Sequence, residues 1–168
     1  MRCIAETAAR PTIAPSRPAD RPAVVLRGFR PSDVPYIAAI VEEGLHERYD
    51  PSLYGSLSLD WPEGFLVAAA PNDVPVGFLL GVSQVVREGR ILMFAVERDH
   101  RAGGIGSLLM DEFLARCRAR GFRRATLEVR VSNATAIRFY ARYLYSVVDL
   151  LRGYYSDGEN GYQMARPL

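Results

Sequence analysis

Lysine is absent from this sequence: all 21 of its basic residues are arginine, a bias that is typical of GC-rich genomes. Without lysine the chain has no P-loop nucleotide-binding motif, which requires a lysine after its last glycine. Its two cysteines, Cys3 and Cys117, are too few for a disulfide framework or a cysteine metal site. No apolar run approaches the ~20 residues of a membrane span, and no apolar signal segment follows the first residues. These absences predict a cytoplasmic protein with neither a metal nor a membrane partner.

The overall composition is that of one globular domain. The chain has 168 residues, 49% hydrophobic and 24% charged, and its net charge of +2 gives no reason to expect direct nucleic-acid binding. Residues 1–22 are rich in alanine, proline and arginine and lack apolar periodicity, which predicts a tail, so that residues 23–168 form the domain. From Val24 onward, strand-like and helical patterns alternate, with a hairpin turn predicted at residues 87–89. This order indicates an α+β fold with a mixed sheet.

A glycine-rich segment separates a predicted strand from a predicted amphipathic helix. The strand is Ile91–Val96, the glycines are Gly103, Gly104 and Gly106, and the helix runs from Gly104 to about Arg120. Glycines allow a sharp turn that leaves backbone N–H groups bare at a helix N-terminus, where the peptide dipoles favour an anion. The spacing differs from the GxGxxG pattern of dinucleotide-binding folds. The sequence therefore predicts a cradle for a pyrophosphate.

Three segments together resemble a known family. The first is Arg101-x-x-Gly-x-Gly, the second is residues 127–140, and the third is residues 152–164. The second segment is a strand with an acidic residue, followed by Asn-x-x-Ala-x-x-x-Tyr. Together they resemble the GNAT acetyltransferases and, among these, the N-terminal protein acetyltransferases. That branch includes the bacterial ribosomal-protein-alanine N-acetyltransferases and the archaeal N-alpha-acetyltransferase catalytic subunits. The resemblance covers about residues 24–168.

This resemblance implies a fold and a co-substrate. The fold is α+β, with a mixed, mostly antiparallel seven-stranded sheet that is splayed at the acetyl-CoA site and flanked by about four helices. The co-substrate is acetyl-CoA, and no metal takes part. The residues implied to bind it come from the strand before the cradle, the cradle itself and the motif of the second segment: Phe94, Ala95, Val96, Arg101, Ala102, Gly103, Gly104, Ile105, Gly106, Ser107, Asn133 and Tyr140.

Two residues of the second segment are candidates for proton transfer. The resemblance implies that Tyr140 protonates the departing thiolate and that Glu128 accepts the amine proton through water. The structural alternatives are a core aromatic for Tyr140 and an ion pair of Glu128 with Arg130, which lies on the same strand face. Relatives often have a histidine, a second candidate base, where this chain has Arg90, which cannot accept a proton. That difference places more weight on Glu128, or leaves the amine to arrive neutral. For Asn133, a helix N-cap is the structural role.

Substrate contacts are expected on both sides of a groove. By the resemblance, Glu47 and Tyr49 line one side, and Tyr154 and Tyr155 close the other. Packing within their own hairpin is the structural alternative for the two tyrosines. Glycines on both sides of these tyrosines, at positions 153 and 158, would allow the loop to close over a few residues of a peptide.

The predicted function is the transfer of the acetyl group of acetyl-CoA to the α-amino group of protein N-termini. One alternative is a GNAT enzyme that acetylates a small-molecule amine or a lysine side chain. A second alternative is a non-catalytic acyl-CoA-binding module. Whether a ribosome or an auxiliary subunit is a further partner, and which N-terminal residue is preferred, stays open.

Overall fold

The computed structural model describes residues 23–45 and 48–168, so the predicted tail of residues 1–22 lies outside it. No helix in these two ranges is long and apolar enough to cross a membrane. Short 3-10 turns precede α1, β2 and α3. Within the described residues the strands and helices follow in the order β1 (Val25–Gly28), α1 (Val34–Leu45), α2 (Pro51–Ser58), β2 (Phe65–Ala69), β3 (Pro75–Val82), β4 (Glu88–Val96), α3 (Ile105–Ala119), β5 (Arg124–Arg130), α4 (Ala134–Arg142), β6 (Ser146–Leu151) and β7 (Gly161–Pro167).

The strands form one seven-stranded sheet in the order β1-β2-β3-β4-β5-β7-β6. All neighbours are antiparallel except β4 and β5, which run parallel because α3 crosses over between them. The predicted α+β fold with a mixed, mostly antiparallel sheet is confirmed. The parallel pair lies in the middle of the sheet, and the last strand, β7, is inserted between β5 and the edge strand β6.

Strands β2 and β3 are buried along their whole length, so both of their faces are covered by other parts of the protein. Successive residues of a strand point to opposite faces of the sheet. Leu66 and Leu79 therefore belong to the core on the α3 side, whereas Phe65 and Phe78 belong to the core under α1 and α2. Two cores separated by the sheet hold the strands in a fixed register, since a slip by one residue would exchange the two sets.

Strands β4 and β5 are paired only at their beginnings. Their register sets Glu88–Ile91 opposite Arg124–Leu127. β4 then continues through Leu92–Val96 and β5 through Glu128–Arg130, and these segments pair with β3 and β7 on their other sides. The two strands separate here, so the backbone edges that face each other have no partner strand. This opening between Leu92–Val96 and Glu128–Arg130 is called the cleft below.

The hairpin turn predicted at residues 87–89 lies about two residues earlier, where Glu88 N donates a hydrogen bond of 3.1 Å to Val85 O. β4 already begins at Glu88, and the chain turns at Arg87, whose φ is 58°. Gly89 is a packing residue, because an added Cβ would lie 2.7 Å from the sulfur of Cys117 on α3. A glycine beside charged residues is typical of a turn, and the contact that explains Gly89 comes from a helix far along the chain.

Candidate active site

The glycine-rich loop after β4 forms a helix N-terminus suited to an anion. Gly104 is the N-cap of α3 with a φ of 84°, a left-handed conformation that favours glycine. The first bond of the helix joins Leu108 N to Gly104 O at 3.0 Å. In the part of the chain that the structure describes, no carbonyl accepts a hydrogen bond from the N–H groups of Ile105, Gly106 and Ser107. These bare donors and the positive end of the helix dipole favour negative charge.

Gly106 leaves space beside these N–H groups. A Cβ added to Gly106 would meet Phe94 at 3.5 Å and Phe139 at 3.8 Å, which are ordinary contact distances. The packing of the protein therefore does not require a glycine at this position. The space next to the helix N-terminus remains open to a ligand.

Arg101 holds the same loop against the end of β4. Its Nε donates a hydrogen bond of 2.8 Å to the carbonyl oxygen of Val96. Its Nη2 lies 3.2 Å from the position that a Cβ would take on Gly44 of α1. The next residue, Ala102, has a φ of 62°, which is uncommon outside glycine. Arg101 thus fixes a tight loop at one end of the cleft.

Helix α4 brings Tyr140 next to the strand that lines the cleft. The helix begins at Asn133, whose Oδ1 accepts a hydrogen bond of 3.0 Å from Ala136 N, as expected for an N-cap. Two turns later Tyr140 packs on Phe94 of β4, with ring centres 6.4 Å apart. The cap and the ring contact together set the position of Tyr140 relative to the cleft.

The hydroxyl of Tyr140 differs from those of the other buried tyrosines. Tyr54 and Tyr145 have hydroxyls that are fully enclosed without a hydrogen-bond partner. Tyr140 is 8% exposed, and its hydroxyl is neither enclosed in this way nor hydrogen-bonded to any residue that the structure describes. Burial of the ring raises the pKa of Tyr140. A phenol in this environment stays protonated at neutral pH and can donate a proton.

Glu128 lies on β5 at the point where the strand leaves β4. Its Oε2 accepts a hydrogen bond of 2.9 Å from Arg90 Nε and lies 2.8 Å from Arg90 Nη2. Burial would lower the pKa of Arg90, but the hydrogen bond and charge of Glu128 outweigh it, so that the pKa is raised. Oε1 of Glu128 has no hydrogen-bond partner among the described residues and is not enclosed, so water can reach it. Glu128 is therefore paired across the sheet with Arg90 rather than along its own strand with Arg130.

Arg130 anchors the loop between β6 and β7. Its Nη1 lies 2.7 Å from Asp157 Oδ2 and 2.8 Å from Glu159 Oε2, and its guanidinium lies 4.0 Å from the centre of the Tyr155 ring. The other oxygen of Glu159 accepts a hydrogen bond of 3.0 Å from Ser132 N. Hydrogen bonds from Ser132 and from Arg130 lower the pKa of Glu159 to about 2. Charge-assisted bonds therefore hold the loop to β5.

The two tyrosines of this loop pack on each other and reach the cleft. Their rings are perpendicular with centres 5.1 Å apart, and a Cβ on Gly161 would lie 3.3 Å from both. The hydroxyl of Tyr154 accepts a hydrogen bond of 3.1 Å from Arg90 Nη2. Burial raises the pKa of Tyr155 to about 12, and the charge of Glu128 is among the further causes. Hairpin packing is thus observed, and Tyr154 in addition joins the Arg90–Glu128 pair.

The opposite side of the predicted groove is described in part. Glu47 lies outside the described residues. Tyr49 precedes α2 and is 38% exposed. The neighbouring Asp50 starts α2 by accepting a hydrogen bond of 2.8 Å from Ser52 N. The substrate contacts assigned to Glu47 and Tyr49 stay predictions.

Arg130 and Glu159 form a pair that the sequence does not predict, because strand alternation favours Glu128 as the partner of Arg130. Strand alternation puts Arg130 on the same face as Glu128, which indicates that it borders the cleft. Glu159 lies in the third motif, after the two tyrosines. Their opposite charges are the sequence signal that could have predicted the pair. The sequence offers several other carboxylates for Arg130, however, so this signal does not single out Glu159.

Sequence comparison identifies the family to which this arrangement belongs. The family described as Acetyltransferase (GNAT) matches residues 33–144, which extend from the start of α1 beyond the end of α4 and include the cleft. The chain belongs to the GNAT acetyltransferase family. The GNAT resemblance drawn from the sequence motifs is confirmed.

Individual relatives agree with this assignment. An N-alpha-acetyltransferase of Saccharolobus solfataricus is 33% identical over 155 residues, which cover 85% of this chain and 92% of the relative. The crystal structure of Ard1 from Thermoplasma volcanium is similar with a TM-score of 0.84 and 40% identity, covering 87% of this chain and 98% of Ard1. Naa20 of Chaetomium thermophilum, solved with a bisubstrate analogue, has a TM-score of 0.79 and 28% identity, with 86% and 87% coverage.

GNAT enzymes use acetyl-CoA, and the site has the features that this co-substrate needs. The bare N–H groups of Ile105, Gly106 and Ser107 suit its pyrophosphate. The unpaired strand edge of Leu92–Val96 offers backbone donors and acceptors to the amide groups of its pantetheine arm. The residues from the glycine-rich loop to the cleft therefore fit acetyl-CoA.

Proposed function

We propose that this protein transfers the acetyl group of acetyl-CoA to the α-amino group of N-termini of cytoplasmic proteins. The observation that carries the proposal is the cleft, which has a partnerless strand edge, the ring of Tyr140 packed on Phe94 of that strand, and Glu128 on its other strand, with an Oε1 that no described residue binds. The identity with N-alpha-acetyltransferases such as that of Saccharolobus solfataricus supports the choice of acceptor.

The co-substrate is held by residues from three successive segments. Backbone groups of the cleft strand take the pantetheine arm, and the loop and first turn of α3 take the pyrophosphate. Asn133 and Tyr140 contribute from α4. The full set that we propose is Phe94, Ala95, Val96, Arg101, Ala102, Gly103, Gly104, Ile105, Gly106, Ser107, Asn133 and Tyr140.

The reaction needs one proton acceptor and one proton donor. The amine nitrogen forms a bond to the thioester carbonyl carbon, and the carbon–sulfur bond breaks. We assign the amine proton to Oε1 of Glu128 through a water molecule, because that oxygen is accessible while Oε2 is held by Arg90. We assign the proton that the sulfur receives to the hydroxyl of Tyr140, which then recovers a proton from solvent.

A site with a water-mediated base suits an α-amine better than a lysine. An α-amino group with a pKa of about 7.9 is about 10% neutral at pH 7, whereas a lysine with a pKa of about 10.4 is about 0.04% neutral. The N-terminal acceptor therefore arrives ready to react far more often. Tyr154 and Tyr155 on one side, with Glu47 and Tyr49 on the other, are the residues that we propose to contact the peptide.

The test is a peptide that carries both a free α-amine and one internal lysine. Mass spectrometry after incubation with acetyl-CoA should find the acetyl group on the α-amine, with lysine labelled to no more than about a hundredth of that extent. The control is the same peptide with a blocked N-terminus, which should remain unlabelled. Labelling mainly on lysine would identify a side-chain acetyltransferase instead. Tight acetyl-CoA binding without labelling of any amine would identify a non-catalytic module.

A further inference from the structure

Two exposed valines form the turn between β3 and β4. Val86 is 90% exposed and Val85 is 58% exposed, although glycine and small polar residues are the usual residues of such turns. Leu59, the residue that ends α2, is 80% exposed. The carboxylate of the next residue, Asp60, accepts a hydrogen bond of 2.5 Å from Ser83 N at the start of the same turn. Three exposed apolar side chains therefore lie in one region of the surface.

Arginines surround this turn. Arg123 N, at the start of β5, donates a hydrogen bond of 2.8 Å to the carbonyl oxygen of Arg87, which directly follows the two valines. On the other side Trp61, two residues after Leu59, packs on Phe122 with ring centres 5.0 Å apart. The end of α3 and the start of β5 thus join the turn, and their arginines together with that of the turn are Arg87, Arg116, Arg118, Arg120, Arg123 and Arg124. The three apolar residues and these arginines are named the basic end.

Only some of these arginines are paired with carboxylates. Ion pairs of 2.8, 3.5 and 3.9 Å join Arg116 to Glu112, Arg120 to Glu63 and Arg124 to Glu88. Arg87, Arg118 and Arg123 are exposed and form no ion pair with a carboxylate of the described residues. Asp60 is the fourth acidic side chain of this region, so six arginines face four carboxylates. The basic end therefore has an excess of positive charge.

The basic end and the cleft lie at opposite ends of the central strands. β4 begins at Glu88, next to the turn, whereas the cleft is formed by its last residues, Leu92–Val96. A strand rises about 3.3 Å per residue, which separates Glu88 from Val96 by about 26 Å. The proposed acetyl transfer uses no residue of the basic end, and a partner bound there would leave the cleft open.

The combination of exposed apolar side chains and unpaired arginines narrows the choice of partner. Nucleic acid would bind the arginines through its phosphates, but its charged backbone offers the valines no apolar contact. A second copy of the chain, related by a two-fold axis, would place arginines against arginines. An anionic lipid surface suits both groups, because its headgroups attract arginine and the boundary between headgroups and acyl chains takes up apolar side chains.

We propose that the basic end binds the surface of membranes that contain anionic lipids. Val85 and Val86 enter the headgroup region, and Arg87, Arg118 and Arg123 contact lipid phosphates. The lack of a long apolar run, on which the prediction of no membrane partner rests, concerns spanning segments and not surface binding. The proposal is independent of the acetyl-transfer reaction. In this orientation the cleft faces away from the bilayer.

The test is cosedimentation of the full chain with vesicles of two compositions. Vesicles with about 30 mol% phosphatidylserine in phosphatidylcholine should bind the protein at least about tenfold more strongly than phosphatidylcholine alone, and added salt should weaken this binding. Arg123→Gln should lower the binding about fivefold, since one arginine near an anionic surface contributes about 1 kcal/mol. Val86→Ser should lower it by at least a similar factor of about five. Both variants should acetylate a soluble peptide at the normal rate.

Two control variants change similar residues elsewhere on the surface. Arg152→Gln removes an exposed arginine that follows β6 and forms no ion pair within the described part of the chain. Val148→Ser removes a valine of the edge strand β6 that is 49% exposed. Both should bind anionic vesicles as the unmodified protein does, and thermal unfolding should verify that all four variants are folded.

Three results would overturn the proposal. The first is equal or absent binding to the two kinds of vesicle, which would mean that the basic end has no affinity for anionic lipid. The second is a loss in the control variants as large as that in Arg123→Gln and Val86→Ser. The third is tighter binding of a structured RNA than of anionic vesicles, weakened by Arg123→Gln but not by Val86→Ser, which would assign the surface to nucleic acid. Failure of α-amine acetylation would leave the assignment of the basic end intact.

Discussion

The guanidinium of Arg90 holds one carboxylate oxygen of Glu128, with Nε and Nη2 at 2.9 and 2.8 Å from Oε2. The contact spans β4 and β5 just where the strands begin to separate. It fixes the rotamer of Glu128 and leaves Oε1 directed to no described partner. Arg90 also donates to Tyr154, so one side chain joins the proposed proton acceptor to the peptide side of the cleft. An arginine can orient a carboxylate in this way without competing for its proton.

Replacing Glu128 by glutamine should affect activity most strongly at low pH. Glu128→Gln keeps the shape of the side chain, but an amide cannot accept a proton. At about pH 6 the α-amine is mostly protonated, and kcat/KM should fall about a hundredfold, with a smaller loss toward about pH 9, where the amine is neutral without help. Steady-state kinetics on one peptide across this range measures the effect.

The control for this experiment is Glu88→Gln. Glu88 is also a carboxylate on the β4 and β5 pair, where it accepts a hydrogen bond of 2.7 Å from Thr126. It lies in the paired part of the strands, outside the cleft. Its replacement should leave the shape of the pH profile unchanged. A loss in Glu128→Gln that is the same at every pH would contradict its assignment as proton acceptor.

Tyr140→Phe should reduce kcat while leaving the acetyl-CoA dissociation constant unchanged. The substitution keeps the ring that packs on Phe94 and removes only the proposed acid. A positioned proton donor contributes about a hundredfold or more, so kcat should fall by about that factor. Single-turnover kinetics, together with calorimetry for the co-substrate, separates the two quantities.

Tyr145→Phe is the matched control for Tyr140. The two rings are in contact, with centres 5.9 Å apart, but the Tyr145 hydroxyl is enclosed without a partner. Removal of the Tyr145 hydroxyl should leave kcat unchanged. It should not lower the free energy of unfolding, because an unsatisfied buried hydroxyl costs about 1–3 kcal/mol. Equal kinetic effects of the two substitutions would indicate that the ring cluster, rather than the Tyr140 hydroxyl, is what catalysis needs.

Gly106→Val should weaken acetyl-CoA binding without unfolding the protein. The first atom of the new side chain meets only ordinary contacts, at 3.5 Å from Phe94, but its branches extend into the space beside the bare N–H groups of α3. The dissociation constant should rise at least about tenfold, or about 1.4 kcal/mol. Calorimetry measures the affinity, and thermal unfolding verifies the fold.

A glycine far from the cleft provides the comparison for Gly106. Gly28 ends β1 at the edge of the sheet, and an added Cβ there would meet nothing within 4 Å. Gly28→Val should therefore bind acetyl-CoA with normal affinity. Normal affinity in a folded Gly106→Val protein as well would remove the helix N-terminus as the pyrophosphate site.

Sequence alone predicts the parts of this protein that depend on local chain geometry. The turn at Gly104 and the cap at Asn133 follow from the preferences of glycine and asparagine at helix starts, and both are observed. The local pattern around Gly89 predicts a turn, because the contact that explains this glycine, with the sulfur of Cys117, comes from a residue distant in sequence. Leu144 has a φ of 63°, a left-handed conformation that favours glycine, and no local sequence pattern predicts it.

The charge pairs of the site depend on tertiary structure and could not be derived from spacing. Alternation on β5 favours an ion pair of Glu128 with Arg130, yet the strand register sets Arg90 opposite Thr126 and so brings it to Glu128 from the neighbouring strand. Arg130 is then taken by the loop after β6, through Asp157 and Glu159. Which of many arginines meets which carboxylate is decided by strand register and loop conformation, which the one-dimensional pattern does not contain.

The loop that carries the two tyrosines should keep its attachment to β5 far into the acid range. The pKa of Glu159 is lowered from its ordinary value of 4.5 to about 2 by hydrogen bonds from Ser132 and Arg130. A carboxyl group with a lowered pKa stabilises the folded state fully above its unfolded pKa, and the contribution disappears as pH falls through the folded pKa. The attachment should therefore weaken only between about pH 4.5 and about pH 2.

Nuclear magnetic resonance can follow this attachment through the amide of Ser132, which donates to Glu159 Oε1. The amide chemical shift should titrate near the bottom of this range, and the titration should vanish in Glu159→Gln. At neutral pH the same variant should raise KM for the peptide and leave the acetyl-CoA dissociation constant unchanged, because it loosens the loop and not the α3 cradle. A Ser132 titration at the ordinary value of a glutamate, or an unchanged KM, would mean that Glu159 does not hold the loop in solution.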